Sequence, residues 1–344
     1  MNVVVVGGGP VGMYAAIAAA MKELSVTVIE KRPGPVDKAC GEGLMPSALA
    51  ALDEIGVDPS GVDFRGIRYL DAGGARQVHA SLGMRPGRGV RRTTLMTALE
   101  VRAAQLAIPV VRDRVESVDQ RARVVSVAAA SGAEFEADVV LACDGLGSTT
   151  RDRLGLDVPH AQPARFGLRQ HYEVSPWSDD VEVYWGRDEE AYVTPVAPDL
   201  VGVAVLGPRG GPLEARLQGF PALVERLRDA VAVGPVLGAG PLRRQARRPL
   251  RDRVLLVGDA AGYVDALTGE GLAVGFASAR AAVAAVVTGD REQYSRDWRR
   301  VTRRFRWSTE VLLRTTQRQG PRRAMLPLAD TVPSVFREAV RQLA

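Results

Sequence analysis

The hydrophobic pattern opens with a strand, a helix and a second strand. Val3 to Val6 is a continuous β-branched run, which is typical of a strand covered on both faces in a parallel sheet. The turn GGGPVG leads into the Ala-rich segment 13–24, and VTVIE (26–30) then has the pattern of a second buried strand. Together they predict a βαβ unit within about 30 residues.

Two helices are predicted next. The segment PSALAALDEIG predicts one that begins near Pro46 and is closed by Gly56. The other is predicted to be capped by Thr93 and Thr94. Its apolar positions recur at helical spacing, at Leu95, Leu99, Ala103 and Leu106.

Most of the remaining patterns predict strands. Two arms around Asp71–Gly74 predict a hairpin, and alternating segments at 110–127 and 134–142 predict a meander. Aromatic-rich segments between about 165 and 207 predict a second antiparallel group. RVLLVGD then returns to the buried parallel-strand pattern, and a long Ala/Val helix follows Gly271.

These elements predict an α/β fold in which a Rossmann-like domain of parallel sheet and β-meander is interrupted by an antiparallel-sheet substrate domain. Residues 1–160 form its first part, and 249–290 its second. Residues 161–248 form the substrate domain, which we expect to include the hairpin at about 64–82. A basic helical segment, 291–344, closes the chain.

Composition narrows the class of protein. The 344 residues are 46% hydrophobic and 25% charged, as in ordinary globular chains. Ser278 and Arg280 interrupt the longest apolar run and the first residues lack the basic region of a signal peptide, so we expect no membrane span and a cytoplasmic location. The two Cys have no disulfide or metal pattern, and we expect surface or packing roles for the three histidines, His79, His160 and His171.

The net charge of +5 is concentrated late in the chain, with ten Arg between Arg296 and Arg323. On a helix, Trp298, Val301 and Phe305 form one apolar stripe, which predicts a docked helix with a solvated basic side. Two alternatives stay open: a face that attracts an anionic cofactor such as NADPH, and peripheral contact with a membrane surface. No recognition motif accompanies the charge, so we expect no nucleic-acid partner.

The strongest local motif is G-x-G-x-x-G at Gly7, Gly9 and Gly12, between a strand and a helix. The first Gly permits a tight turn, the second lets backbone approach a pyrophosphate, and the third brings helix and strand together. Glu30 lies 18 residues after Gly12, at the end of the second strand, where a carboxylate can accept hydrogen bonds from ribose hydroxyls. The motif therefore predicts binding of FAD or NAD, and the acid disfavours NADP.

Two later segments identify the cofactor by resemblance. VVLACDGLGSTTRDRLG and DRVLLVGDAAGYVDALTGEGLAVGFASA resemble the two distal signatures of the flavoprotein superfamily that includes p-hydroxybenzoate hydroxylase and geranylgeranyl reductase. The resemblance covers about residues 1–288 and implies FAD, with NADH or NADPH visiting transiently as reductant.

The resemblance also implies which residues hold FAD. Asp259 would accept from the ribityl chain, and the last long helix would turn its positive end toward the flavin. Arg92 resembles an Arg that reaches the pyrophosphate; for Arg92 and Asp144, a surface charge and a helix-capping role remain alternatives. The implied cofactor residues are Gly7, Gly9, Gly12, Glu30, Lys31, Arg32, Cys40, Gly41, Arg92, Asp144, Gly145, Gly258, Asp259, Gly269, Gly271 and Leu272.

A third segment, KACGEGL, resembles the K-x-C-G-x-G-L of geranylgeranyl reductases. The resemblance implies that its backbone lies against the flavin, that Lys38 and Glu42 are polar contacts at the cavity mouth, and that Cys40 points toward the ring or the substrate. Cys40, Glu42 and Tyr192 are the candidate catalytic residues. A tight loop with a small residue at position 40 is the alternative.

Aromatic residues in the middle of the chain predict a substrate pocket. The stretch EVYWGRDEEAYVTPV resembles the strand pair that closes the pocket of the reductases, in which Tyr192 and Pro195 are the matching residues. It departs from that pattern at Thr194, where an aromatic is usual, and Ala266 stands where Pro is usual. Separately, Tyr184, Trp185 and Tyr192 on a sheet predict a stacking surface for a flat or apolar substrate. Aromatics at strand spacing are also common in cores.

Three functional hypotheses follow. The first is an FAD-dependent monooxygenase, in which NAD(P)H-reduced flavin activates O₂ to hydroxylate or epoxidise a small apolar molecule, aromatic or polycyclic. The second is a flavoenzyme, similar to geranylgeranyl reductase, that reduces isoprenoid double bonds. The third is a non-catalytic flavin-binding protein.

Overall fold

A computed structural model describes residues 1–159 and 164–316, in which strands are numbered β1–β21 and helices α1–α8 in chain order. A six-stranded sheet forms the base of the fold. Five of its strands are parallel, as their continuous apolar runs predict, and one antiparallel strand lies at an edge. In spatial order the strands are β19 (Leu250–Arg251), β20 (Val254–Leu256), β12 (Val139–Ala142), β1 (Asn2–Val6), β2 (Ser25–Ile29) and β8 (Val110–Val111).

Apolar helices pack against this sheet and share its core, as both faces of a parallel sheet must be covered. Tyr14 and Phe276 stack at 4.7 Å between ring centroids and join α1 to α7. The helices are α1 (Pro10–Ala20), α2 (Pro46–Glu54), α3 (Arg92–Gln105), α4 (Thr149–Arg153), α5 (Leu213–Leu217), α6 (Pro221–Arg226), α7 (Gly271–Thr288) and α8 (Arg291–Thr316), with one 3₁₀ turn at Gly258–Ala260.

The predicted meander is smaller than the sequence suggests. Only β9 (Val115–Gln120), β10 (Val125–Ala129) and β11 (Glu134–Ala137) form it, and they pair antiparallel. The strands β8 and β12, which the pattern also assigned to the meander, pair instead within the parallel sheet. Each adds to β1 or β2 the parallel neighbour that a βαβ unit requires.

A seven-stranded sheet forms the second half of the molecule. Its spatial order is β17 (Val231–Ala239), β13 (Arg165–Glu173), β16 (Leu200–Pro208), β15 (Glu190–Ala197), β14 (Val181–Trp185), β5 (Gly66–Asp71) and β6 (Gln77–Ser81). The hairpin β5–β6 comes from the first segment of the chain and joins the sheet through parallel pairing of β5 with β14.

Two small sheets connect the halves. Strands β3 (Gly43–Leu44), β7 (Gly87–Gly89) and β4 (Val62–Phe64) pair in that order, and β18 (Arg244–Gln245) pairs with β21 (Gly262–Tyr263). The overall arrangement confirms the predicted class, an α/β fold with a parallel-sheet domain, a meander and an antiparallel sheet.

The two C-terminal helices complete the described residues. Helix α7 is long and apolar enough to cross a bilayer, but half of it is buried and it packs against α1, α2 and α8. In α8, Trp298 and Phe305 are buried, as the apolar stripe predicts, whereas Trp307 is 70% exposed. The rest of the predicted basic segment, 317–344, and His160 lie outside the described residues.

One predicted helix start is wrong. Helix α3 begins at Arg92, and the side chain of its N-cap residue, Arg91, makes no capping hydrogen bond. The Arg92 N–H donates instead to Glu42 Oε1 at 2.9 Å. The Glu42 carboxylate, from a loop distant in sequence, therefore caps the helix in place of the predicted Thr93 and Thr94.

Candidate functional site

A cavity of ≈ 380 Å³ lies between the carboxyl ends of the parallel strands and the seven-stranded sheet. The residues that follow β1, β2, β12 and β20 line one end, and residues of β5, β13, β14, β15 and β16 line the other. Ligands of open α/β sheets bind at this edge, so the topology places a binding site here.

The glycine-rich turn forms one wall of the cavity. Gly7 has a φ of 99°, and a Cβ there would lie 2.6 Å from the Cys143 carbonyl oxygen. A Cβ at Gly12 would lie 1.9 Å from the Gly7 carbonyl oxygen, so Gly12 supports the turn without lining the cavity. Gly9 has nothing within 4 Å of its open side, and α1 begins beside it without a side-chain cap. Uncapped N–H groups at a helix N-terminus favour an anionic group.

Glu30 lies directly after β2 and is buried. Its Oε2 accepts from the Gly8 N–H at 2.8 Å, and its Oε1 accepts from the backbone N–H and Nε of Arg32. Burial alone would raise the pKa of Glu30, but the hydrogen bonds and charge of Arg32 outweigh it and hold the pKa below its ordinary value. The carboxylate is thus ionised at the cavity wall, where Lys31 and Arg32 also lie.

Lys38, Asp259 and Arg92 form a second charged group in the cavity. Burial lowers the pKa of Lys38, partly opposed by the negative charge of Asp259. Burial raises the pKa of Asp259, opposed by Lys38 and Arg92. Lys38 Nζ also approaches Gly145, where a Cβ would be 3.9 Å away. The loop 37–44, which contains Lys38, therefore meets α3 and the residues after β12 and β20 at this charged group, although these segments are far apart in sequence.

The beginning of α7 lies beside this charged group. Gly269, Gly271 and Leu272 line the cavity, and no side chain caps the helix N-terminus. Gly258 does not line the cavity: its φ is 62°, and a Cβ would lie 3.0 Å from Val11 Cγ1. Gly258 therefore permits the close contact between the strand end and α1.

These residues fit the FAD that the sequence resemblance implies. Within the part of the chain that the structure describes, Asp144 Oδ1 and Arg92 Nε are buried and have no hydrogen-bond partner. Asp144 Oδ2 accepts from the Thr150 N–H at 3.0 Å, so the predicted capping role is also present. Two uncapped helix N-termini, unpaired polar atoms and glycines with open sides provide what a diphosphate and a polar ring system need.

The loop 37–44 crosses the middle of the cavity. Cys40 and Gly41 line it, and the Gly41 carbonyl oxygen accepts from Thr194 Oγ1 at 2.7 Å. The Thr194 hydroxyl therefore ties the loop to strand β15.

Glu42 corrects a sequence-based expectation. It lines the cavity, as predicted, but it is 3% exposed and its Oε2 lies 2.6 Å from His171 Nε2, so it is a buried group and not one at an open mouth. His171, which the sequence assigned to a surface or packing role, is buried in this polar contact. His79 is partly exposed and lies 3.3 Å from an Asp180 carboxylate oxygen.

Of the four predicted pocket residues, only Tyr192 lines the cavity. Alternate side chains of a strand face opposite sides of a sheet, and Tyr192 shares its side with Thr194 but not with Pro195. Tyr184 points away from Val183 into a separate core, where its hydroxyl donates to Glu182 Oε2 at 2.6 Å. Trp185 packs with Leu267 and Phe305 beyond the cavity wall.

Several cavity residues were not predicted. Ile67 and Tyr69 of β5 and Val181 and Val183 of β14 form much of the apolar wall. Tyr263 of β21 lies opposite, with its ring 6.4 Å from that of Phe305. The period-2 pattern could have identified the side of β14, but the pairing of β5 with β14 has no local sequence signal.

Comparison with known proteins agrees with this geometry. A family model described as "FAD binding domain" matches residues 1–211. The chain is 32% identical to digeranylgeranylglycerophospholipid reductase 1 of Methanopyrus kandleri, over 79% of this chain and 76% of that protein. It is 28% identical to the dialkyldecalin synthase of Streptomyces rugosporus, over 81% of this chain but only 63% of that protein's length.

Among solved structures, the flavin-dependent brominase Bmp2 has the same fold, with a TM-score of 0.82 at 18% identity, over 100% of this chain and 93% of that one. The matched family, the reductase relative and the fitted cavity together place this chain in the family of FAD-binding oxidoreductases.

Proposed function

We propose that the protein is a flavin-dependent reductase that saturates carbon–carbon double bonds of an apolar, isoprenoid-like substrate. The observation that carries the proposal is the loop 37–44, which carries the KACGEGL motif and joins the cofactor end of the cavity to its apolar end. Lys38 approaches Asp259 at one end, and Gly41 bonds to Thr194 of the sheet at the other. A relative with 32% identity is named as a reductase of a digeranylgeranyl lipid.

The apolar end suits a neutral, flexible substrate. Ile67, Val181, Val183 and Leu206 line it, and the polar groups among them are mainly tyrosine hydroxyls. Burial raises the pKa of Tyr69, Tyr192 and Tyr263 above the ordinary value, so all three stay neutral at physiological pH. These apolar side chains and neutral tyrosines disfavour water and introduce no charge of their own.

Reduction of a double bond requires a hydride at one carbon and a proton at the other. Bound FAD, once reduced by NADH or NADPH, supplies the hydride. The residues of this chain bind the substrate against the cofactor and provide the proton-bearing groups. Cys40 lines the junction of the two ends, and Tyr192 holds its proton in a hydrogen bond to the Leu267 carbonyl oxygen at 3.0 Å.

The test is reduction of geranylgeraniol by the FAD-loaded protein with NADH or NADPH, without oxygen and with ¹⁸O₂. We expect products heavier by two hydrogens per double bond in the anaerobic arm. Incorporation of ¹⁸O, with no anaerobic product, would instead support the monooxygenase hypothesis. Absence of turnover in every arm, despite reduction of the bound flavin, would contradict both.

Two variants address the residues. We expect Cys40→Ala and Tyr192→Phe each to lower turnover at least about tenfold while FAD binding is kept. Tyr172→Phe is the matched control, since Tyr172 is buried in the same sheet but lies outside the cavity. Equal losses in all three variants would contradict the assignment.

A further inference from the structure

A buried polar network holds the cofactor loop, and Glu42 is its centre. The Glu42 side chain is 1% exposed, as is usual only for a carboxylate with several partners. Its Oε1 accepts from the Arg92 N–H at 2.9 Å, and its Oε2 contacts His171 Nε2 at 2.6 Å. Arg169 Nη2 lies 3.7 Å from Oε1 and also donates to Asp37 at 2.5 Å.

The hydrogen bonds of His171 fix the position of its proton. Arg169 Nη1 lies 3.1 Å from His171 Nδ1. A guanidinium can only donate, so Nδ1 must accept and the ring proton is on Nε2. Nε2–H therefore donates to Glu42, and each heteroatom of the imidazole has a partner.

The backbone at Glu42 adopts a conformation that favours glycine, although a side chain is present there. Glu42 has a φ of 60°, in the left-handed region, which is unfavourable for a residue with a Cβ relative to Gly. A glycine, the residue type on either side at Gly41 and Gly43, would adopt this conformation without that penalty. The sheet also leaves room for the carboxylate, since a Cβ at Gly202 would lie 2.9 Å from Glu42 Oε2.

Three parts of the cavity meet at this single carboxylate. The loop contributes Glu42 itself, whose carbonyl oxygen accepts from the Val90 N–H at 2.8 Å. Helix α3 contributes the Arg92 N–H, and the substrate sheet contributes His171 and Arg169.

We propose that Glu42 and His171 form a positioning pair, which fixes Cys40, Gly41 and Arg92 in the arrangement that receives FAD. The pair acts through these neighbours, so neither residue is a catalytic group. The inference concerns the cofactor end of the cavity and does not depend on which substrate is reduced.

The experiment measures the Kd for FAD, the absorption spectrum of the bound flavin and the free energy of unfolding of the apoprotein. In Glu42→Gln an NH₂ group must face either the Arg92 N–H or the His171 N–H, so one contact is lost. We expect its Kd for FAD to rise at least about tenfold, with a changed flavin spectrum. His171→Gln keeps a donor toward Glu42 and an acceptor toward Arg169, and it should stay within about threefold of the wild-type Kd.

Glu182→Gln is the matched control, because Glu182 is a buried carboxylate that accepts from Trp177 Nε1 and the Tyr184 hydroxyl outside the cavity. We expect it to destabilise the apoprotein without changing the Kd. If Glu42→Gln does not fold, His171→Ala replaces it, with the same expected rise in Kd. The proposal is overturned if Glu42→Gln, or His171→Ala in its place, folds and keeps the wild-type Kd and flavin spectrum but loses stability as Glu182→Gln does. The pair would then have a purely structural role.

Discussion

Glu270, at the N-cap of α7, gives a pH dependence whose sign follows from the structure. Burial raises the pKa of Glu270 from 4.5 to about 7, against the opposing effects of Arg304 and a hydrogen bond with Thr268. The folded protein therefore binds this proton more tightly than the unfolded chain does. The associated stability is fully present below pH 4.5 and is lost as the pH rises through about 7.

The size of the effect follows from the two pKa values. The pKa of Glu270 rises by about 2.5 and each pKa unit corresponds to about 1.4 kcal/mol, so ionisation of Glu270 lowers the free energy of unfolding by at most about 3.5 kcal/mol. The side chain is only partly buried, and solvent screening reduces the expected loss to about 1–2 kcal/mol. Glu270→Gln cannot ionise and should not show this loss.

Urea unfolding of the wild type and the variant at about pH 4 and about pH 8 measures the difference. We expect equal stabilities at the lower pH and a variant that is more stable by about 1–2 kcal/mol at the higher one. Glu292→Gln, at an exposed carboxyl in the first turn of α8, is the control and should follow the wild type. Parallel curves for the wild type and Glu270→Gln would refute the reasoning.

Three further predictions concern packing and buried charge. Gly12→Ala, whose new Cβ would lie 1.9 Å from the Gly7 carbonyl oxygen, should weaken FAD binding at least about tenfold in a fluorescence titration. Gly73→Ala has nothing within 4 Å and should bind normally; equal affinities would be evidence against the close approach. Arg165→Met removes a buried cation that pairs with Glu190 and Asp265 and should cost about 3–5 kcal/mol in urea unfolding, so a loss below about 1 kcal/mol would contradict this account. Tyr294→Phe removes the hydroxyl that donates to the Leu256 carbonyl oxygen at 2.5 Å and should cost about 1–2 kcal/mol, whereas an unchanged urea midpoint would contradict a net stabilising role for this hydrogen bond.

The parts of the site that sequence could predict are encoded locally. The turn of Gly7, Gly9 and Gly12 and the acid after β2 lie within one βαβ unit, so their spacing specifies both backbone and chemistry. The hydrophobic runs of the parallel strands are equally direct, because burial on both faces allows few polar residues.

The errors arise where the partner is distant in sequence. His171 lies 129 residues from Glu42, and neither residue has a neighbour that signals the contact. The start of α3 was wrong for the same reason, since its capping acceptor comes from the loop at Glu42. The prediction for Tyr184 was wrong for a different reason. Its residue type suggested a pocket position, but the alternation of side chains along β14 places it in a separate core.

The hairpin β5–β6 has a consequence for how the molecule is made. It leaves the ribosome long before β14, the partner that pairs with β5, and β12 similarly precedes β20 by more than a hundred residues. Such a high contact order slows folding. The edges of β5 and β12 stay unpaired until β14 and β20 have been synthesised. Nascent chains shorter than about 256 residues therefore expose unpaired strand edges, at which pairing with another chain would compete with folding.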